Sequence, residues 1–129
     1  MPPVIFLVDD DDGSRDAMTR TLERVGYSLE AFASAEEALA KLRDGEHVDA
    51  IVSDVRMPGM DGYEFLRAVR AEFPNLPFLL VTAYADVDDA VAALQEGADD
   101  YLTKPVKVQE LRQRVQLQLE RRVLSDENR

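Results

Sequence analysis

Cysteine is missing from this chain of 129 residues, and histidine occurs only once, at His47. The lack of cysteine excludes disulfide bonds, thiolate metal sites and a cysteine nucleophile. His47 lies in a polar stretch, and we assign it no role. A metal site in this chain therefore has to use chiefly oxygen ligands.

Long apolar segments and an excess of basic charge are missing as well. The longest unbroken apolar stretch near the N-terminus, Val4–Val8, is far too short to cross a bilayer, and no basic leader precedes it. We therefore expect no signal peptide, no membrane segment and a cytoplasmic location. The net charge is −11, from 26 acidic and 15 basic side chains. Direct binding of nucleic acid is not expected, because a phosphate backbone requires a basic face.

The sequence instead contains short apolar runs that alternate with segments of helical periodicity. A chain of 129 residues fits one domain with one core. Continuous runs such as VIFLV and FLLV are typical of strands buried on both faces. The predicted strands are Val4–Val8, Leu29–Phe32, Ala50–Val52, Phe78–Val81 and Tyr101–Leu102.

Five further segments place apolar residues on one face of a helix. Ser14 and Ser34 are expected to cap the first two helices, and Asp61 and Gly62 are interpreted as loop and cap residues before the third. Five strand–helix repeats indicate a parallel sheet covered by helices on both faces. The apolar positions are Met18, Leu22 and Val25; Ala35, Ala38, Leu39 and Leu42; Phe65, Leu66 and Val69; Val87, Val91 and Leu94; and Val108, Leu111, Val115, Leu119 and Val123.

Reactive side chains follow four of the predicted strands. In an open parallel sheet, ligands bind at the carboxyl ends of the strands, so these side chains are expected at one edge. Clustered carboxylates without cysteine or histidine favour a hard cation, chiefly Mg²⁺. A magnesium store would have no use for an ammonium or a hydroxyl group, whereas a phosphoryl group would use both. An aspartate that attacks phosphorus forms an aspartyl phosphate. The residues are Asp9, Asp10, Asp54, Thr82 and Lys104.

Each of these residues also has a purely structural interpretation. Asp54 could cap a helix or begin a turn, and Asp9 and Asp10 could belong to a solvated acidic loop. Lys104 could be a surface lysine, and Thr82 could be an ordinary β-branched strand residue. The occurrence of all five residues at the ends of four strands favours a phosphoryl-binding site over these structural interpretations.

Four motifs resemble the receiver domain of two-component response regulators: LVDDDD, SDVRMPGMDG, VTA and YLTKP. They occur in the order and spacing of that family, and the likeness extends from residue 4 to about residue 120. The resemblance implies a doubly wound, flavodoxin-like α/β fold with five parallel strands in the order 2-1-3-4-5. It places the receiver domain at residues 1–120.

The resemblance also implies a role for each site residue. Asp54 is then the phosphoacceptor, which receives its phosphoryl group from a histidine kinase. Asp10, Asp54 and the backbone carbonyl of Arg56 are the direct ligands of Mg²⁺, and Asp9 is an indirect one.

The remaining motif residues correspond to the switch of the family. Thr82 and Tyr101 form the switch pair, and Tyr101 could equally be a packed core aromatic. Lys104 binds the phosphoryl group and is followed by a cis bond to Pro105. Phosphorylation is then expected to change the face formed by the fourth helix, the fifth strand and the fifth helix.

Two alternatives to a signalling domain that modifies only itself are an enzyme acting on a small substrate and a receiver used only for docking. A magnesium-dependent phosphatase or phosphotransferase with an aspartyl nucleophile typically has a second aspartate two residues later, where this chain has Arg56. A receiver used only for docking would not need an intact site.

Three longer segments resemble receivers of sigma-54-dependent transcription activators, including the dicarboxylate-transport regulators: SLEAFASAEEALAKL, RMPGMDGYEFL and VTAYADVDDAV. The polar tail at residues 121–129 resembles the start of a helical linker to an output domain outside this chain, with ATPase and DNA-binding functions. A homodimer through the fourth and fifth helices is a further expectation.

Overall fold

The computed structural model describes residues 1–83 and 87–127, with side chains for residues 1–83 and 90–122. Within these ranges five strands alternate with five helices, as the sequence predicts. The second strand begins one residue earlier than predicted, and the fifth extends one residue further at each end. The third strand ends two residues later than predicted and the fourth ends one residue later, so Asp54 and Thr82 are the last residues of their strands. The elements are β1 Val4–Val8, α1 Asp12–Glu23, β2 Ser28–Phe32, α2 Ala35–Arg43, β3 Ala50–Asp54, α3 Gly62–Glu72, β4 Phe78–Thr82, α4 Val87–Gln95, β5 Asp100–Thr103 and α5 Val108–Glu127.

The strands form one parallel sheet in the order β2-β1-β3-β4-β5. This arrangement confirms the predicted doubly wound fold. Successive residues of a strand point to opposite faces, so Ile5 and Phe6 of β1 lie in two different apolar clusters. Phe65 of α3 covers one face, and Val115 of α5 covers the other. Burial on both faces explains why the inner strands are apolar without alternation.

Capping residues explain where the helices begin. Ser34 caps α2 as predicted, and Asp61 caps α3 in a capping box with Glu64. The predicted cap of α1 is wrong, because Asp11 is the N-cap and its carboxylate accepts a hydrogen bond from the backbone N–H of Ser14 at 2.8 Å. The helix therefore starts inside the acidic run, where negative charge is favourable for its N-terminus.

Two predicted apolar faces are partly exposed. Val25 follows the end of α1 and is 44% exposed, while Val91 and Leu94 of α4 are 47% and 52% exposed. Among residues 90–95, the part of α4 whose side chains are described, the buried residue is Ala93, which lies on a different side of the helix. Ala93 belongs to the apolar cluster that contains Phe65, and the larger side chains of Val91 and Leu94 face solvent.

The last helix, α5, continues without a break past residue 120. Arg122 attaches it to the edge of the sheet where the strands begin, because its Nη1 donates to the carbonyls of Val48 and Asp49 at 3.1 and 3.3 Å. Residues 121–127 of the predicted linker are therefore helical, and residues 128 and 129 lie outside the described residues. None of the helices in the described part of the chain combines the length and apolar character that a membrane crossing requires.

Candidate functional site

Three charged side chains meet at the carboxyl ends of the strands. Asp9 follows β1 and is fully buried, and Asp54 ends β3 and is 7% exposed. The ammonium of Lys104, which follows β5, lies 2.8 Å from Asp9 Oδ2 and 3.2 Å from Asp54 Oδ2. The fold thus brings Lys104 between two carboxylates that are 95 and 50 residues away in the sequence.

Backbone hydrogen bonds orient both carboxylates. The N–H of Val55 donates to Asp54 Oδ1 at 2.8 Å and also to the carbonyl of Val81 in β4 at 3.2 Å. The N–H of Asp11 donates to Asp9 Oδ1 at 2.9 Å. In each aspartate one oxygen is therefore held by the main chain and the other by Lys104.

Asp10 completes an acidic cluster with Asp9 and Asp54. Each of the three residues offers a carboxylate oxygen, and these oxygens lie within 4.8 Å of one another. Asp10 is exposed, so the cluster opens to solvent on its side. A set of oxygen donors of this kind fits Mg²⁺, which prefers carboxylates and retains several waters.

The charges in the cluster are unbalanced. Burial raises the pKa of Asp54 from its usual value of 3.8, the negative charge of Asp9 raises it further, and Lys104 opposes both, so that the pKa is about 6. Burial by itself lowers the pKa of Lys104, but the hydrogen bonds and charges of Asp9 and Asp54 outweigh it and the net pKa is raised. One ammonium does not neutralise the carboxylates, and a bound cation would relieve the remaining repulsion.

We expect Asp54→Asn to stabilise the metal-free protein at high pH. Because the pKa of Asp54 is about 6 in the folded state and 3.8 ordinarily, ionisation of this carboxyl opposes folding. The penalty is absent below about pH 4, grows up to about pH 6 and is fully present above it. With allowance for the water that reaches the carboxylate, it amounts to about 1–2 kcal/mol.

Urea unfolding of both proteins in EDTA at pH 4 and pH 8 measures this effect. The variant should be the more stable protein at pH 8, and the difference should diminish at pH 4. A difference that does not depend on pH would contradict the prediction.

Thr82 is the last residue of β4, and Tyr101 lies in the neighbouring strand β5. Thr82 is buried, and Tyr101 is half-buried against the apolar cluster that contains Phe65. Both residues border a cavity of about 270 Å³ together with Arg56. The predicted switch pair and the loop after Asp54 therefore share one space. A larger cavity of about 680 Å³ lies at the opposite edge of the sheet, away from this chemistry.

Lys104 is joined to β4 by its main chain as well. Its N–H donates to the carbonyl of Thr82 at 2.7 Å, and the Lys104–Pro105 peptide bond is cis. The structure thus brings together all the site residues that the sequence predicts at this edge.

Two residues at the site were not singled out by sequence reasoning for a role in the chemistry. Ser53 is fully buried, and its hydroxyl donates to the carbonyl of Asp54 at 2.9 Å. Gly62 donates its N–H to the carbonyl of Val55 at 2.7 Å. A Cβ atom on Gly62 would overlap the carbonyl oxygen of Asp54 and lie 2.8 Å from the Cα of Val55. The available signals were a hydroxyl within an apolar strand and a glycine directly after a capping aspartate.

Comparison with known proteins agrees with this geometry. Residues 5–116 match the family model of the response regulator receiver domain. The C4-dicarboxylate transport transcriptional regulatory protein DctD of Rhizobium meliloti (strain 1021) is 45% identical over 127 residues, which cover 98% of this chain and 27% of that protein. The response regulator protein FleR of Pseudomonas aeruginosa is 45% identical over 111 residues, which cover 86% of this chain and 23% of FleR. The chain spans about a quarter of the length of these relatives.

Solved structures share the whole fold. A putative response regulator from Chloroflexus aurantiacus superposes with a TM-score of 0.88 at 38% identity, over 93% of this chain and 99% of the other. A CheY-like receiver domain protein from Methanospirillum hungatei superposes with a TM-score of 0.90 at 32% identity, over 97% of this chain and 99% of the other. With the sheet order, the acidic cluster and the match over residues 5–116, the chain belongs to the response regulator receiver domain family.

Proposed function

We propose that Asp54 accepts a phosphoryl group from the phosphohistidine of a histidine kinase, in a reaction that depends on Mg²⁺. The observation that carries this proposal is the position of the Asp54 carboxylate. It lies at a nearly buried strand end with Lys104 at 3.2 Å and the carboxylates of Asp9 and Asp10 alongside. The receiver then acts on itself and turns over no free substrate.

The acidic cluster supplies the metal ligands in this proposal. Asp10, Asp54 and the backbone carbonyl of Arg56 would bind Mg²⁺ directly, and Asp9 would act indirectly. When bound, the ion would neutralise negative charge on the oxygens of the transferring phosphoryl group. The pKa of Asp54 is about 6, so this carboxylate is mainly ionised at neutral pH and can act as a nucleophile.

The residues around Asp54 orient the attack. The N–H of Val55 holds one carboxylate oxygen, and Lys104, which contacts the other, would bind an oxygen of the incoming phosphoryl group. A new oxygen–phosphorus bond forms at Asp54 as the nitrogen–phosphorus bond of the donor breaks, and the electron pair of that bond stays on the donor nitrogen. Preorganised positive charge at this point stabilises the transition state without reorganisation.

Thr82 and Tyr101 would convert phosphorylation into a change of shape. The hydroxyl of Thr82 would move to a phosphoryl oxygen, and the ring of Tyr101 would rotate inward. The shared cavity of about 270 Å³ beside them supports this step. The face formed by α4, β5 and α5 would then differ between the two states.

Incubation with acetyl phosphate and Mg²⁺, followed by intact mass measurement, tests the proposed role of Asp54. One phosphoryl group should be added to the wild type and none to Asp54→Asn, and chelation of the metal should prevent the addition. Asp16→Asn, an exposed aspartate of α1, serves as the matched control and should be modified normally. An unmodified wild type, or a modified Asp54→Asn, would refute the assignment. Steady turnover of a small phosphorylated substrate would favour a phosphatase instead.

The output of the switch is also a proposal. DctD is a transcriptional regulatory protein by name, and the chain aligns with about a quarter of it. We propose that residues 121–129 begin a helical linker, and that the receiver controls an output domain with ATPase and DNA-binding functions in transcription. A cytoplasmic location follows from a kinase partner that draws its phosphoryl group from ATP.

We also propose that two chains pair through α4 and α5 when Asp54 is phosphorylated. The support is the exposure of four large apolar side chains on these helices: Val91, Leu94, Val108 and Leu117. Light scattering after size-exclusion chromatography, with and without acetyl phosphate, should show a phosphorylation-dependent dimer. A monomer under both conditions would contradict the pairing.

A further inference from the structure

Ser53 is a buried polar residue in a strand that is otherwise apolar before Asp54. Alternation along β3 places its side chain on the same face as Ile51 and Val55, which belong to one apolar cluster. Burying a hydroxyl in such surroundings is costly unless the hydroxyl makes a hydrogen bond. The hydroxyl of Ser53 donates to the carbonyl of Asp54 at 2.9 Å.

That carbonyl belongs to the peptide group between Asp54 and Val55, which is held from several sides. Its N–H donates to Asp54 Oδ1 at 2.8 Å and to the carbonyl of Val81 at 3.2 Å. The next carbonyl, that of Val55, accepts from Gly62 at 2.7 Å. Because Gly62 has no Cβ, the start of α3 lies directly against the carbonyl oxygen of Asp54.

We propose that Ser53 is a positioning residue for phosphoryl transfer, whose hydroxyl fixes the plane of the peptide between Asp54 and Val55. The inference rests on the proposed role of Asp54 as the acceptor. The same peptide carries the N–H that holds Asp54 Oδ1, so a rotation of its plane also turns the carboxylate. In-line attack is sensitive to such a change, since a displacement of about 1 Å can slow a reaction about 10²-fold.

A purely structural serine would behave differently. Alanine fills almost the same volume, so Ser53→Ala would then alter stability without changing the reaction. A positioning residue instead changes the rate constant of phosphorylation, because the hydroxyl holds the peptide rather than filling space. We expect this rate constant to fall about 10-fold in Ser53→Ala. The loss is smaller than for a full displacement of about 1 Å, because the N–H of Val55 still donates to Asp54 and the N–H of Gly62 still donates to the carbonyl of Val55.

The experiment compares wild type, Ser53→Ala, Ser53→Thr and Ile51→Val with acetyl phosphate at saturating donor and Mg²⁺. Time-resolved intact mass gives the rate constant of phosphorylation, and thermal unfolding gives the stability. Ser53→Thr retains the hydroxyl and should keep most of the wild-type rate. Ile51→Val is the matched control, two residues earlier on the same face of β3, and should lower stability while keeping the wild-type rate. The amide resonance of Val55 in an NMR spectrum should shift in Ser53→Ala and stay in place in Ile51→Val.

The inference is overturned if Ser53→Ala reacts at the wild-type rate, or if Ser53→Ala and Ile51→Val are slowed alike. Where Ser53→Thr does not fold, the comparison of Ser53→Ala with Ile51→Val decides alone. A wild type that takes up no phosphoryl group would refute the role of Asp54 itself, so the two failures are distinguishable.

Discussion

Replacement of Lys104 by methionine should slow phosphorylation of Asp54 by about 10²- to 10³-fold, the loss typical for removal of one preorganised donor. Lys104 is the ammonium that lies within 3.2 Å of both Asp9 and Asp54. Methionine retains most of the apolar stem but neither the charge nor the hydrogen bonds. The negative charge on the phosphoryl oxygens would then no longer be stabilised by the ammonium of Lys104.

The same substitution should destabilise the metal-free protein. Asp9 is fully buried, and without Lys104 its charge has no ammonium beside it. Removal of one partner from a buried ion pair costs about 3–5 kcal/mol, and the partial exposure of Lys104 places this case near the lower value. Saturating Mg²⁺ should restore part of the loss, because the ion would supply positive charge to the same carboxylates.

Urea unfolding in EDTA and in Mg²⁺, together with time-resolved intact mass, measures both effects. Lys107→Met is the matched control, since Lys107 is exposed three residues further along the chain, and it should retain the wild-type rate and stability. A Lys104→Met protein that is phosphorylated at the wild-type rate would remove Lys104 from the reaction.

Gly62→Ala should also cause a large loss, for a steric reason. The added Cβ would overlap the carbonyl oxygen of Asp54 and lie 2.8 Å from the Cα of Val55. These are backbone atoms at the end of a central strand, so they cannot give way as the tip of a flexible side chain could. We expect a loss of about 1–3 kcal/mol of stability from overpacking. Displacement of Asp54 should slow its phosphorylation about 10²-fold.

Gly13→Ala provides the control for Gly62→Ala. Gly13 also lies near the start of a helix, but the nearest atom to its added Cβ is a carboxylate oxygen of Asp11 at 3.6 Å, an ordinary contact. Alanine is the better helix former, so this variant should gain up to about 1 kcal/mol of stability and react at the wild-type rate. Equal behaviour of the two variants would show that the close approach at Gly62 has no consequence.

The order of the elements and the charged groups that meet at the carboxyl ends of the strands were both predictable from the sequence. Short apolar runs and helical stripes are local patterns, and they define five strands and five helices because burial on two faces requires such runs. The positions of Asp9, Asp54 and Lys104 at strand ends follow from those patterns. Since the carboxyl ends of parallel strands share one edge, their convergence could be predicted before any contact was known.

Helix ends and exposed faces were less predictable. Ser14 and Asp11 are both good capping residues, and the choice between them depends on where the chain leaves β1. The exposure of Val91 and Leu94 depends on which side of α4 packs on the sheet, and that side is the one with Ala93. Hydrophobic periodicity shows which side chains of a helix share a face, but it does not show which face packs against the sheet.

By itself, the sequence determined the alternation of strands and helices, the acidic edge of the sheet and the identity of the groups that collect there. Only the tertiary structure decided how those groups are held. Lys104 bridges Asp9 and Asp54, Ser53 binds the carbonyl of Asp54, and Gly62 approaches it so closely that no side chain fits. The contacts of Lys104 and Gly62 join residues that are not neighbours in the chain, and the contact of Ser53 with the next residue depends on the backbone path at the end of β3. Their distances follow from the packing of whole elements, which local sequence patterns do not encode.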